Sequence, residues 1–256
     1  MKFCTTGIFC KVVEFFEKVC YNEIRKVVVI LKKEKEFSVI QGLKCVVSFP
    51  DNYDEQSKYP TILFLHGAGS RGNNLEILKN NPYFSLTSKH SDFPFITFAP
   101  QCSKNNWFDH FESLEALVAE ISEYDFVDSS RIYLMGASMG GYATWQLAMS
   151  MPEKFAAIVP ICGGGMYWNS GRLVDLPVWA FHGSLDKTVR LEESEKMVDS
   201  INKKGGCAKL TVYPNNAHDA WSDTYANYEV FRWLLDQRRK DIKEYTDGYN
   251  GSKQYG

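Results

Sequence analysis

Seven short runs rich in β-branched and aromatic residues recur along the chain, and they alternate with segments of helical periodicity. This alternation is typical of βαβ units and of a mostly parallel sheet. Most runs are continuously apolar, as expected for strands that are covered by helices on both faces. The predicted strands are residues 44–49, 61–66, 95–99, 131–136, 156–161, 178–182 and 209–213, with an earlier strand or hairpin within 25–40.

Four segments carry the predicted helices, at residues 111–124, 140–150, 191–203 and 224–237. The first has an apolar stripe at the i, i+3, i+4, i+7 spacing of an amphipathic helix. No internal repeat divides the chain. We therefore predict one α/β domain over residues 37–240, with an N-terminal extension over 1–36 and a polar C-terminal tail over 241–256.

Composition restricts the partners of this domain. Of the 256 residues, 45% are hydrophobic, which is enough for a full-sized core. The net charge of −2 provides no positive field for nucleic acid or for an anionic membrane surface. The expected partner is a small or neutral molecule, and nothing in the sequence defines an oligomeric state.

The seven cysteines are scattered and contain no CxxC pair. We read them as mostly buried, reduced thiols rather than as disulfides or zinc ligands. The first 36 residues do not follow the order of a signal peptide, and the apolar run over 27–31 is too short to cross a bilayer. We therefore expect a cytoplasmic location.

The strongest local signal is the sequence Gly-Ala-Ser-Met-Gly at residues 136–140, which matches the G-x-S-x-G nucleophile elbow. A predicted strand leads into it and a predicted helix leaves it. So sharp a turn needs small flanking residues and projects Ser138 at the carboxyl edge of the sheet. The alternative is a glycine-rich turn without chemistry.

A serine nucleophile requires a histidine base and a carboxylate that orients it. In hydrolases with this elbow the chain order is serine, acid, histidine, which leaves His182 and His218. His218 lies in a loop after the last strand and is the predicted base. His182 ends a strand and is expected to pack under the loop that carries the acid.

Asp186 follows the predicted strand over 178–182 by a short turn and is the predicted acid. Its alternative role is an N-cap for the helix that begins near residue 191. Asp219 is a rival, although a residue adjacent to His218 points poorly toward that ring. Asp175 is a weaker rival.

A tetrahedral intermediate needs preorganised donors, usually two backbone N–H groups. The predicted donors are Met139, directly after the serine, and Ala68, in the glycine-rich loop over 66–72. That loop could instead cradle a phosphate, but it lacks the Lys-Ser/Thr ending of a P-loop. The predicted substrate contacts are Trp107, Gln101, Tyr167 and Trp221. The aromatic residues Trp107, Tyr167, Trp168 and Trp221 could form an apolar wall, or each could be a core residue. Three consecutive glycines at 163–165 are a further place where the backbone is expected to pass close to a neighbour, with the floor of the site as a candidate.

Together these motifs resemble the serine esterases of the α/β-hydrolase superfamily. The loop over 65–69, the Pro-Gln-Cys at 100–102 and the elbow are similar to phospholipase/carboxylesterase-type proteins, as are the segments 160–164, 182–186 and 218–221. These proteins grade into family 1 carbohydrate esterases, such as feruloyl and acetyl xylan esterases, and into prolyl oligopeptidase-like hydrolases.

The resemblance implies an α/β-hydrolase fold without a large lid domain. It also implies hydrolysis of a small-molecule carboxylic ester through an acyl-serine intermediate, without metal or organic cofactor. Short-chain acyl esters or aryl esters of the feruloyl or acetyl type are the expected substrates. The alternatives are a peptidase or amidase with the same machinery, and a catalytically silent binding protein.

Overall fold

A computed structural model describes residues 36–239, and eight strands in this range form one sheet in the order β1-β2-β4-β3-β5-β6-β7-β8. The strands are β1 (Glu36–Ile40), β2 (Leu43–Ser48), β3 (Tyr59–Leu65), β4 (Ile96–Pro100), β5 (Val127–Ala137), β6 (Ala157–Ile161), β7 (Val178–Gly183) and β8 (Ala208–Tyr213). β1 and β2 pair antiparallel with their neighbours, and β3 to β8 are mutually parallel.

The mostly parallel α/β sheet predicted from the sequence is therefore confirmed. Each of the seven predicted strands is present, and β5 is the one whose start differs most, because it begins at Val127 rather than at residue 131. β1 occupies the end of the strand or hairpin expected within 25–40, and the rest of that segment lies outside the described residues. So do the tail over 241–256 and all of the proposed extension over 1–36 except Glu36.

Seven α-helices lie in the described range, five between strands and two after β8. They are α1 (Leu75–Lys79), α2 (Pro82–Thr87), α3 (Phe111–Glu123), α4 (Met139–Ser150), α5 (Glu192–Lys203), α6 (Trp221–Ala226) and α7 (Tyr228–Leu235). None of the helices in this range is both long and apolar enough to cross a membrane.

The helices cover both faces of the sheet, as continuously apolar strands require. On one face α3, α4 and α5 pack against residues such as Leu63 and Leu134. On the other face α1, α2, α6 and α7 pack against Phe64 and Tyr133. The sheet is thus the middle layer of three, and its carboxyl edge is left for loops.

Two features of the connections differ from the prediction. The segment between β3 and β4 contains two short helices, α1 and α2, whose lengths of five and six residues are too short to establish a helical period. The single helix expected over 224–237 is instead α6 and α7, which meet at Asn227. The Asn227 side chain accepts from the Glu229 amide and so begins a new helix.

Candidate active site

The turn between β5 and α4 places Ser138 in a strained conformation at the carboxyl edge of the sheet. Its backbone has φ 55° and ψ −117°, a region that L-residues rarely adopt. The turn is tight enough that a Cβ on Gly140 would strike the backbone of Leu65 on β3. The glycine of the elbow is therefore required by the close packing of the helix start against β3.

The side chains of the three predicted catalytic residues lie in one hydrogen-bonded chain. Ser138 Oγ is 2.8 Å from His218 Nε2, and His218 Nδ1 is 2.7 Å from Asp186 Oδ2. Because a carboxylate only accepts, the Nδ1 proton points to Asp186 and Nε2 is left to accept from the serine hydroxyl. The structure thus brings together residues from the loops after β5, β7 and β8.

Asp186 is a buried carboxylate in a loop whose neighbouring residues are exposed. Its other oxygen, Oδ1, accepts from the Thr188 and Val189 amides at 2.9 and 3.0 Å. Burial alone would raise the pKa of Asp186, but the hydrogen bond from His218 and the two amide bonds outweigh burial and hold that pKa below its ordinary value. The Asp186 carboxyl group is therefore ionised and fixed in direction at neutral pH.

The rival acids lie elsewhere. Asp219 is exposed, and its two carboxylate oxygens accept from the backbone and the hydroxyl of Ser222, so it caps the start of α6. Asp175 precedes β7 and therefore lies at the opposite edge of the parallel sheet from the Ser138 turn. Geometry leaves Asp186 as the carboxylate beside His218.

Two backbone amides are available beside Ser138. Met139 is the first residue of α4, and Ala68 is the first residue of a 3₁₀ turn over Ala68–Ser70. Amides at the first positions of a helix have no carbonyl partner within that helix. The two turns are close to each other, since a Cβ on Gly67 would lie 3.6 Å from Ser138 Cβ.

The loop that carries Ala68 is fixed from below by buried polar groups. The Trp107 indole donates to the His66 carbonyl at 3.0 Å, and the Cys102 amide donates to His66 Nε2 at 3.0 Å. Gln101 donates to the carbonyls of Ser70 and Asn74. Trp107 is fully buried and Gln101 is 1% exposed, so these residues hold the loop and have no surface left for a substrate.

The remaining aromatic residues of the predicted pocket wall differ in how close they lie to His218. Trp221 is half-buried and contacts the His218 ring edge-on at 5.2 Å between centroids. Tyr167 and Trp168 are exposed, on a 3₁₀ segment over Tyr167–Leu173. Trp221 is therefore the one of these three that touches the proposed base.

A cavity of about 500 Å³ opens beside the first turns of α4. Its apolar side chains are those of Phe108, Phe111 and Met166. Tyr142, Gln146 and Glu193 add a phenol, an amide and a carboxylate to the wall. The glycine run over 163–165 contributes Gly164 and Gly165 to this wall, as its small residues suggested. The sequence argument missed Tyr142, whose position one helical turn after Ser138 is the signal that points to it.

Cys162 lies beneath the acid–base pair at the end of β6. The Cys162 sulfur, a carboxylate oxygen of Asp186 and a ring nitrogen of His218 all lie within 4.8 Å of one another. Burial raises the pKa of the Cys162 thiol well above its ordinary value, which keeps it protonated and uncharged beside the carboxylate. This thiol is a packing residue of the site.

Comparison with known proteins agrees with this fold. A family model described as the dienelactone hydrolase family matches residues 99–230. That match covers the elbow, Asp186 and His218 and more than half of the chain. The chain belongs to the dienelactone hydrolase family, within the α/β-hydrolase fold that its motifs resemble.

Individual relatives extend the comparison. A probable feruloyl esterase C from Aspergillus terreus is 25% identical over 180 residues, which cover 68% of this chain and 66% of that protein. Dipeptidyl-peptidase 5 from Porphyromonas gingivalis is 22% identical over 219 residues, 67% of this chain but 32% of that protein. A crystal structure described as a thermostable esterase superposes with a TM-score of 0.66 at 32% identity, and the match covers 77% of this chain and 60% of that one. The chain thus spans from about a third to about two thirds of these relatives.

Proposed function

We propose that this protein hydrolyses carboxylic esters through an acyl-serine intermediate, with Ser138 as nucleophile, His218 as base and Asp186 as the residue that orients the base. The observation that carries the proposal is the continuous hydrogen-bonded chain from Ser138 Oγ through the His218 ring to Asp186 Oδ2, at 2.8 and 2.7 Å. The order of the three residues along the sequence, serine then acid then histidine, supports the same assignment.

The proposed reaction has two halves. In the first, His218 Nε2 accepts the Ser138 proton as Oγ attacks the ester carbonyl carbon, and the Met139 and Ala68 amides stabilise the oxyanion. The intermediate collapses, the alcohol leaves with the proton from His218, and the acyl group remains on Ser138. In the second half His218 takes a proton from water as the water oxygen attacks the acyl carbon; the bond to Ser138 Oγ then breaks, Oγ takes the proton back from His218, and the acid is released.

We place the aryl or short acyl group of the substrate in the cavity beside α4, because its wall includes Tyr142, one helical turn after Ser138, although Ser138 and His218 are not among its lining residues. Its volume of about 500 Å³ lies in the range of small-molecule sites and suits an aromatic ring. Relatives named feruloyl esterase and acetylxylan esterase are consistent with acyl groups of these two kinds. The proposed substrates are therefore feruloyl-type and acetyl-type esters.

Replacement of the nucleophile tests the reaction. Ser138→Ala is expected to lower kcat for p-nitrophenyl acetate by roughly a thousandfold or more and to abolish labelling by a fluorophosphonate. The matched control is Ser85→Ala, which removes an exposed hydroxyl on α2. Full activity in Ser138→Ala would refute the assignment, and an unlabelled, inactive wild type would identify a silent binding protein.

Substrate choice is tested at the cavity wall. Phe108 is 52% exposed, so Phe108→Ala removes a ring from the wall with little effect on folding. We expect a several-fold rise in KM for methyl ferulate and no change for p-nitrophenyl acetate. Tyr228→Ala, at an exposed aromatic residue on α7, is the control. Equal effects of the two variants on methyl ferulate would remove the cavity from the proposal.

Similarity to dipeptidyl-peptidase 5 favours a second candidate, a peptidase or amidase that uses the same residues. Aminoacyl anilides and acyl esters of similar size distinguish the two. Faster turnover of the anilides would make the peptidase the better assignment.

A further inference from the structure

A second histidine lies against the proposed catalytic acid. His182 is fully buried at the end of β7, four residues before Asp186. Its Nε2 is 2.9 Å from the Val189 carbonyl and 3.4 Å from Asp186 Oδ2, and its Nδ1 is 2.7 Å from Ser194 Oγ. Both ring nitrogens are therefore engaged.

The partners define what His182 does. A carbonyl oxygen only accepts, so Nε2 carries a proton that points at Val189 O with Asp186 Oδ2 beside it. The amide of the same Val189 donates to Asp186 Oδ1. His182 thus fixes the peptide unit that follows Val189, while the unit that precedes it holds the carboxylate.

Ser194 anchors the ring from the other side. Ser194 Oγ is 2.9 Å from the Gly163 carbonyl, on the loop that leaves β6. The last residue of β6, Ile161, accepts from the Ser138 amide at 2.9 Å. The His182–Ser194 pair therefore ties the acid loop and α5 to the strand that supports the nucleophile.

We infer that His182 is a positioning residue for Asp186, with Ser194 as its anchor, and that it keeps Oδ2 aimed at His218. The inference rests on the proposed esterase reaction. His182 touches neither Ser138 nor the substrate side of His218, so its effect reaches the reaction through the carboxylate. A misdirected carboxylate stabilises the His218 imidazolium less, which lowers kcat and moves the acid limb of the kcat/KM profile to lower pH.

The test uses His182→Leu, His182→Gln and Ser194→Ala, with rates expressed per active site from the endpoint of fluorophosphonate labelling. His182→Leu is expected to lower kcat by about 10- to 100-fold with KM within twofold and to shift the acid limb downward. His182→Gln retains an amide N–H for Val189 O and is expected to restore most of the rate. His90→Gln is the matched control, because His90 also bonds a backbone carbonyl, that of Tyr225.

Other titratable groups around the pair stay constant in these variants. They are Cys162 after β6 and Tyr142 on α4, whose pKa values are raised by burial and further by nearby carboxylates that include Asp186, and Asp219 beside the base, whose charge acts on Cys162. A shifted limb is therefore attributable to His182. A merely structural role would lower the number of active sites and leave the limb in place.

The outcomes separate the two proposals. If His182→Leu matches His90→Gln in kcat and in the acid limb, the inference is overturned while the esterase assignment stands. If the wild type hydrolyses no ester, the proposed function itself fails. Should His182→Leu not fold, Ser194→Ala decides: a several-fold loss of kcat with the same limb shift supports the inference, and wild-type values overturn it.

Discussion

Ser138 combines the proposed nucleophile with a backbone conformation that opposes folding. At φ 55° and ψ −117° a residue with a Cβ costs of order 1–3 kcal/mol relative to a relaxed conformation. The cost is borne by packing of β5 and α4 on either side of the turn.

This strain predicts an order of stability among variants that lack the hydroxyl. Ser138→Gly is expected to be more stable than Ser138→Ala by about 1 kcal/mol, because glycine adopts positive φ without strain. The greater entropy of glycine in the unfolded chain offsets only part of this gain. Urea unfolding of the two inactive variants measures the difference. A more stable alanine variant would mean that the turn is not strained.

His66 provides a second prediction at the scale of a residue. Burial lowers its pKa from 6.5 to about 4, an effect that the bond to the Gly67 carbonyl only partly opposes. The unfolded state therefore binds more protons between these pH values, so stability is complete above pH 6.5 and is lost as pH falls toward 4. Between pH 7.5 and 5.0 the loss from this group is about 2 kcal/mol.

The measurement is urea unfolding of the wild type and of His66→Gln at both pH values. The variant is expected to be less stable at pH 7.5, because the Cys102 amide and the Gly67 carbonyl lose their partner, but to depend less steeply on pH. Identical slopes for the two proteins would exclude a buried neutral His66.

At the scale of elements, the approach of α4 to β3 depends on Gly140. A Cβ there would strike the Leu65 backbone, so Gly140→Ala is expected to destabilise the fold by about 2 kcal/mol or more and to displace the elbow. Gly171→Ala is the control, because its Cβ would meet only the Lys204 side chain at an ordinary 3.5 Å. Thermal unfolding and ester hydrolysis of both variants test this, and equal losses would contradict it.

Strands and helices could be predicted from the sequence where their pattern of apolar residues extends over most of the element. The parallel strands follow from continuous apolar runs, and α3 from its buried stripe. The split between α6 and α7 did not follow, because the apolar positions keep their period across Asn227 while the backbone breaks there. Periodicity reports which face is buried and not whether the hydrogen-bond ladder is continuous.

The same distinction applies to the site. Ser138, Asp186 and His218 could be placed together because a serine between strand and helix needs partners at the same sheet edge. Trp107 was wrongly predicted as a substrate contact, because its neighbours in sequence do not reveal that its indole reaches His66, 41 positions away. Contacts across loops are set by three-dimensional packing alone.

At the scale of the whole molecule, burial divides the cysteines of the described chain. Cys45, Cys102 and Cys162 are buried, and burial raises the pKa of each, to about 12 for Cys45. Cys207 is exposed. Among these four, we expect only Cys207 to react with a thiol reagent under native conditions, since the thiolate is the reactive form.

Mass spectrometry after brief native labelling localises the modified residues. Cys207→Ser is expected to reduce native labelling by one thiol and to leave labelling of Cys45, Cys102 and Cys162 slow. Rapid modification of any of those three in the folded protein would contradict their burial.

The three proposed catalytic residues come from distant parts of the chain. Ser138 and His218 are 80 positions apart, and His218 and Asp186 are 32 apart. No partly folded fragment that lacks β5, β7 or β8 contains all three side chains at hydrogen-bonding distance. Under the proposed chemistry, covalent labelling of Ser138 therefore counts molecules that have completed folding. A mixture of native and misfolded protein can then be quantified in a crude extract, without separation, by the fraction of chains that take up the label.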